Sequence, residues 1–330
     1  MNTGGERHAE FGIDRVSDEA KNRHEKSLVG DTKMTGGSAG RVVLIAGPTA
    51  SGKSALALKL ALRSGALIVN ADAMQVYDTL RVVTARPSDG EMDQVPHLLY
   101  GTVPVSTRFS TGRWLEAVRG VMADEAGRRP LIFVGGTGLY FDALQNGFAD
   151  VPEIPAEIVL QVQQEIQEMD AERRMQMLRS ADPAAAGRLK VADPQRVIRA
   201  VAVKRATGQT LSSFQDTPQT GLLANSVVER IILDPDRDLL RERIAHRFQA
   251  MFSNGAVDEV RALLAQQLDP ALPAMKAIGV PEIAAWLDGR MTREEAIDLA
   301  TIATHQYAKR QRTWFRNRMG DWPRRDPLKL

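Results

Sequence analysis

No cysteine occurs anywhere in the 330 residues. That removes disulfide frameworks, thiolate-held zinc and thiol nucleophiles at once, and it is compatible with a reducing compartment. Long apolar runs are missing too: Val42–Ala46 and Leu131–Val134 are among the longest, far short of a membrane span. No membrane association is expected, and the cytoplasm is the expected location. The chain has little net charge, only +2. That total hides a strongly basic stretch from Lys309 onward, and for a polyanionic partner local excess matters more than the sum. With 43% hydrophobic and 25% charged residues the composition is that of an ordinary globular protein. No repeat or low-complexity block interrupts it.

Residues 1–40 have few large apolar side chains and no sustained period. Such a segment buries too little surface to offset chain entropy, so a disordered extension is expected. It has no apolar core of a secretory signal, and Met34 is the expected natural start.

Ordered structure is expected from Arg41, where Arg41-Val-Val-Leu-Ile-Ala46 reads as a buried strand ending at Gly47. A helix over Lys53–Arg63 follows, then strands at Ala66–Val69 and Pro130–Val134, the latter running into Gly135-Gly-Thr-Gly138 and a helix from Leu139. Strand, glycine-rich turn and helix in series indicate an α/β fold with a parallel sheet. The first part of this core is placed at 41–150. Beyond the linker Val151-Pro-Glu-Ile-Pro155, residues 151–221 read as a helical insertion, and 222–330 as a return strand (Val227–Leu233) followed by helices near 237–252, 256–267 and 293–319. The last opens with the capping-box spacing Thr292-Arg-Glu-Glu295.

The most specific signal is Gly47-Pro-Thr-Ala-Ser-Gly-Lys-Ser54, a complete phosphate-binding loop between a strand and a helix. Its glycines let backbone N–H groups turn toward phosphate oxygens at a helix N-terminus. Lys53 supplies a point charge, and Ser54 a hydroxyl for Mg2+. Gly47, Thr49, Ala50, Ser51, Gly52, Lys53 and Ser54 are therefore the expected diphosphate-binding set. In open parallel sheets ligands sit at the carboxyl ends of strands. Asp72, after the second strand, and Thr137, in the turn after the third, fall there; a helix N-cap would also account for Asp72, and a plain turn residue for Thr137. A small-molecule kinase and a diphosphate-releasing transferase are not separable on these residues alone.

The wider pattern resembles the bacterial tRNA dimethylallyltransferases (tRNA isopentenyltransferases). The resemblance is carried by GPTASGKS at 47–54, Asp72-Ala-Met-Gln-Val-Tyr77, Thr84-Ala-Arg-Pro87, Val134-Gly-Gly-Thr-Gly-Leu-Tyr-Phe141, Asp193-Pro-Gln-Arg-Val-Ile-Arg199, Thr207-Gly208 and Lys309-Arg-Gln-Arg-Thr-Trp-Phe-Arg316, in that order over about residues 41–320. The chain departs from that pattern at Ala73 (usually Ser), Val83 (usually Gly), Arg86 (usually Lys) and Pro281; Ala73 removes a hydroxyl that could touch the target base.

The resemblance implies a P-loop NTPase-like sheet with flanking helices and a helical insertion domain. It implies transfer of a dimethylallyl group from dimethylallyl diphosphate to N6 of adenosine 37, beside the tRNA anticodon, with Mg2+ as cofactor. ATP need not be a substrate despite the motif. In that scheme Lys53, Asp72 and Thr137 are catalytic, with Asp72 taking the N6 proton. Arg247 joins the diphosphate site, ahead of Arg243 on the same helix face. Asp72, Ala73, Met74, Gln75, Gln195, Arg196, Val197, Ile198 and Arg199 are the expected tRNA-contacting segments, with Gln75 suited to a base edge and Arg196 and Arg199 to phosphates. Lys309, Arg310, Arg312 and Arg316 add a basic face, while Trp314 and Phe315 are expected in the core. His97 is left out of the site. A monomer is expected. The alternatives are an adenylate isopentenyltransferase acting on free AMP, ADP or ATP, and a P-loop kinase or nucleotide-dependent RNA-binding switch; a free nucleotide would not need so much basic surface.

Overall fold

The computed structural model describes residues 40–125, 127–217 and 219–329. The N-terminal extension, apart from Gly40, and the expected start at Met34 lie outside the described residues. Six strands form one parallel sheet: β1 (Arg41–Ala46), β2 (Leu67–Asn70), β3 (His97–Leu98), β4 (Leu131–Gly135), β5 (Val227–Leu233) and β6 (Arg324–Arg325). Their order is β3-β2-β4-β1-β5-β6, with β1 central and paired to β4 and β5.

The central strands read as near-continuous apolar runs because both faces of a parallel sheet are covered. Successive side chains point to opposite faces. Val43 and Ile45 therefore pack with Leu56, Ala57 and Leu60 of α1 (Lys53–Ser64) on one face. Val42, Leu44 and Ala46 face the other, against Trp114 of α3 (Thr111–Asp124) and Tyr140 and Phe141 of α4 (Gly138–Asn146). Trp114 stacks on Tyr140 at 4.2 Å between ring centroids, and its indole N–H donates to the Asn70 carbonyl at 2.9 Å, fixing the end of β2. Between β2 and α3 lies the short α2 (Asp89–Gln94).

Five helices follow: α5 (Ala156–Ile166), α6 (Ala171–Ala181), α7 (Pro183–Arg188), α8 (Pro194–Thr207) and α9 (Leu211–Asp216). They close around a core of their own, built on Val162, Ile166, Leu178, Val197, Ile198 and Val201. α8 begins where the Asp193 carboxylate accepts from the Arg196 amide and Pro194 occupies the first turn, and it stops at Gly208. The chain then returns through β5 to α10 (Arg237–Ser253), α11 (Ala256–Leu264), α12 (Val280–Leu287) and α13 (Arg293–Arg318). Thr292 and Glu295 make the capping box at the start of α13: the Thr292 hydroxyl accepts from the Glu295 amide at 3.1 Å, and the Thr292 amide donates to the Glu295 carboxylate at 2.7 Å.

α13 is long enough to serve two layers. Its first half packs with α10, α11 and α12 around Phe248, Val260 and Ile283. Its last turns carry Phe315 into the core beneath the sheet. No helix among the described residues is long and apolar enough to cross a membrane.

Candidate active site

The phosphate loop leaves the carboxyl end of β1, as the sequence requires. A Cβ on Gly47 would sit 2.8 Å from the Leu233 carbonyl of neighbouring β5, so only glycine fits there. Ala50 holds φ +62°, a left-handed conformation unusual for alanine, and lines the cavity with Thr49 and Ser51–Ala55. Lys53 opens α1 and folds back, its ammonium donating to the Pro48 carbonyl at 2.8 Å. Desolvation lowers its pKa from 10.5 to about 8, partly opposed by the charge of Asp72 and reinforced by Arg247.

A cavity of about 150 Å³ lies over this loop, walled by Asp72, Gln75, Thr84, Ala85, Tyr100, Gly135 and Arg247. Asp72 follows β2 with no helix behind it, which removes the helix-cap explanation. Its amide donates to the Asn70 side chain at 2.8 Å, and its Oδ1 accepts from the Met74 amide at 3.0 Å. One carboxylate oxygen is thus spent on orienting the group, and Oδ2 is turned toward Gly136. Thr137 sits at the N-cap of α4 but does not cap it; its hydroxyl accepts from the Ala73 amide at 2.9 Å, joining the β4 turn to the Asp72 segment. Burial pushes the Tyr307 phenol above its ordinary pKa, helped by the negative charge of Asp72 and partly opposed by the Thr137 and Gln311 side chains.

Arg247 reaches in from α10 and donates to the Thr49 hydroxyl at 2.7 Å. Its Nε is buried without a partner among the described residues, a donor of the kind that needs an acceptor. Arg243, one turn earlier, does not line the cavity.

Several expected tRNA contacts need correcting. Val197 and Ile198 are buried in the core of the helical unit, so their side chains cannot reach an RNA; Gln195, Arg196 and Arg199 are exposed around them. Met74 packs partly against the α10–α13 core, and Ala73 against the core beneath the sheet. The Gln75 amide nitrogen is committed to the Thr84 and Ala85 carbonyls, each at 2.9 Å, so it holds a wall of the cavity. Arg312 is paired with Asp234 at 2.7 Å and donates to the Pro235 carbonyl at 3.2 Å, tying α13 to the end of β5. Arg310 lies over the Tyr307 ring, 5.6 Å from its centroid.

Lys309 and Arg316 remain open, and they border a groove of about 390 Å³ between α10 and α13 that Arg237 and Arg241 complete. The two α10 arginines were not singled out in the sequence, where they fall in an ordinary charged helix pattern. Gln311 was missed as well. Its Oε1 accepts from the Thr49 amide and its Nε2 donates to the Gly136 carbonyl, both at 2.9 Å. Among the described residues no cluster of three or more His, Cys, Asp or Glu could hold a metal by itself. The Ser54 hydroxyl and a single carboxylate, Asp72, are among the groups that border the cavity. Mg2+ is commonly held by such sparse protein ligands together with substrate phosphates, so the donor set fits it.

The model of the IPP transferase family matches residues 75–318, and that of the isopentenyl transferase family residues 40–102. The chain is 50% identical over 287 residues to the tRNA dimethylallyltransferase of Allorhizobium ampelinum, covering 86% of this chain and 94% of that one. The chain belongs to the tRNA dimethylallyltransferase family. The family enzyme of Rhizobium meliloti is 48% identical over 285 residues, with 86% and 94% covered. Among solved structures, the tRNA isopentenylpyrophosphate transferase of Bacillus halodurans superposes with a TM-score of 0.61 at 31% identity, covering 87% of this chain and 89% of that one. A eukaryotic dimethylallyltransferase acting on tRNA superposes with a TM-score of 0.73 at 25% identity, covering 87% and 74%.

Proposed function

We propose that this tRNA-modifying prenyltransferase takes its prenyl group from dimethylallyl diphosphate and places it on N6 of the adenosine beside the anticodon. The observation that carries the reading is one cavity with opposite chemistry on its two walls. One wall has the phosphate loop, Lys53 and Arg247; the other has the oriented carboxylate of Asp72.

In this reading the amide groups of Ala50 and Gly52–Ser54, the Lys53 ammonium and the Arg247 Nε, which has no partner among the described residues, hold the diphosphate. The Ser54 hydroxyl would hold Mg2+ beside it, and that ion would help neutralise the charge on the leaving group. The N6 amine attacks C1 of the donor, a C–N bond forms, and the C1–O bond breaks with its electron pair leaving on diphosphate. Asp72 Oδ2 accepts the N6 proton, while the Oδ1 bond to the Met74 amide keeps the carboxylate aimed. Thr137 holds the Ala73 amide and with it the Asp72 segment. An adenine can present N6 here only after leaving its stack, which in a single-stranded loop costs on the order of a few kcal/mol. Lys309 and Arg316, together with Arg196 and Arg199 on the helical unit, are exposed cations suited to the RNA backbone.

The test is incubation with labelled dimethylallyl diphosphate and either unmodified tRNA or AMP. Label in tRNA alone is expected. Label only in AMP would point to a free-nucleotide prenyltransferase, and label in neither would overturn the reaction.

A further inference from the structure

The leaving-group wall and the base wall of the cavity belong to different elements. Thr49 follows β1, and Asp72 follows β2. What joins them is a side chain from neither, carried by α13 at the far end of the chain. Gln311 is only 5% exposed, and its two amide atoms tie the phosphate loop to the turn after β4, which lies against the Asp72 carboxylate: Oε1 accepts from the Thr49 amide and Nε2 donates to the Gly136 carbonyl, both at 2.9 Å.

Both ends of this bridge are one step from the chemistry. The Thr49 amide is held by Gln311 and the Thr49 hydroxyl by Arg247, so the whole residue is fixed from outside its own loop. On the other side, a Cβ at Gly136 would overlap the Gln311 amide nitrogen and come within 3.3 Å of Asp72 Oδ2. Gly136 therefore lets the Gln311 amide and the Asp72 carboxylate share one small space. α13 itself is anchored by buried Phe315 and by the Arg312–Asp234 pair, so the amide has a rigid mount.

We propose that Gln311 is a positioning residue that sets the spacing and orientation of the diphosphate loop relative to Asp72. The inference rests on the reading of that loop as the diphosphate site and of Asp72 as the proton acceptor. A glutamine suits the task because it offers one acceptor and one donor at fixed separation, neutral beside a carboxylate that must stay charged. In-line displacement needs the nucleophile, C1 and the leaving oxygen aligned, and a misplacement of about 1 Å costs on the order of 100-fold in rate.

Gln311→Met and Gln311→Glu separate positioning from folding and from affinity. Glu keeps the shape and the acceptor but turns a carboxylate toward the Gly136 carbonyl; Met removes both bonds. Three quantities are read on the full chain: melting temperature, dissociation constant for dimethylallyl diphosphate by calorimetry, and single-turnover transfer to unmodified tRNA at saturation. The expected result is a protein that stays folded with a melting temperature lowered by a few degrees, a dissociation constant within about threefold, and a transfer rate down by about 10- to 100-fold. A variant that folds and loses less than about tenfold in rate overturns the proposal, as does a loss confined to affinity or the unfolding of both variants. Wild-type protein that transfers no label to tRNA fails the reading of the reaction itself, whereas wild-type transfer with undiminished variants fails only the role of Gln311.

Discussion

Arg247 and Thr49 stand 198 residues apart in sequence, and the guanidinium of the first donates to the hydroxyl of the second at 2.7 Å. A helix of the C-terminal half thereby completes a loop that the first strand begins. The bond spends one Nη of Arg247 and leaves Nε buried and without a partner among the described residues, so in the proposed reading the side chain is held in place with a donor in reserve for the diphosphate. Replacing it with Ala removes both. A charged hydrogen bond is worth about 1.5–3 kcal/mol, so Arg247→Ala is expected to raise KM for the prenyl diphosphate by about 10- to 100-fold. Arg247→Lys should recover only part of this, because an ammonium cannot reach both positions with a fixed fork. Steady-state kinetics at saturating tRNA, with melting temperature as a control, check both statements.

Asp72 has the opposite signature. Asp72→Asn keeps the oxygen that accepts from the Met74 amide but cannot take the N6 proton. A single-turnover loss of about 100- to 10,000-fold is expected, the range of general-base catalysis. Binding of the prenyl diphosphate should be unchanged or tighter, since a negative charge that acts on Lys53 and Arg247 has been neutralised. A variant with weakened donor binding and near-normal turnover would remove Asp72 from the proton-transfer step.

The phosphate loop was legible in the sequence because its geometry depends on backbone conformation, which forces glycines at fixed spacing. Asp72 and Thr137 were legible because parallel strands present their carboxyl ends together. Gln311 was not: its two bonds span 262 and 175 positions, and no local period announces a contact of that range. β3 and β6 were missed for a different reason. Each is a two-residue edge strand, His97–Leu98 and Arg324–Arg325, with no apolar run to mark it. Val197 and Ile198 mark a limit of reading by motif. They stand between exposed Arg196 and Arg199, yet the helical period turns them inward with Val201. Arg312 shows the same limit for charge, since nothing in a run of cations says which one has an aspartate waiting.

Lys53 predicts a pH dependence with a definite sign. Its folded pKa is lowered to about 8 from 10.5, so above pH 8 the free enzyme progressively loses the charge that the diphosphate needs. Donor affinity should fall as pH rises through about 8, and binding at pH 8.5–9 should take up protons as the diphosphate restores the ammonium. The stability linkage runs the other way: between 8 and 10.5 the unfolded chain binds more protons than the folded one, so this group adds stability to the free enzyme as pH rises. Calorimetry in buffers of different ionisation enthalpy measures the uptake. Lys53→Met should abolish it, and an uptake that survives in that variant would assign it elsewhere.

The cations of α13 are expected to divide into two classes. Lys309 and Arg316 are open at the groove, where Arg237 and Arg241 stand on the facing helix. Each should contribute through counterion release, so Lys309→Ala or Arg316→Ala is expected to weaken tRNA binding and to reduce the slope of log affinity against log salt by about 1. Neither change should move the melting temperature. Arg312 is held by Asp234 and the Pro235 carbonyl in a half-buried pair, and its loss should act on the fold. Arg312→Ala is expected to cost about 1 kcal/mol of stability and to leave the salt slope close to that of wild type. Filter binding of unmodified tRNA across a salt series, run beside thermal melts, separates the two classes. A full unit of slope lost with Arg312 would return it to the RNA surface, and an unchanged slope for Lys309 and Arg316 would take the groove off it.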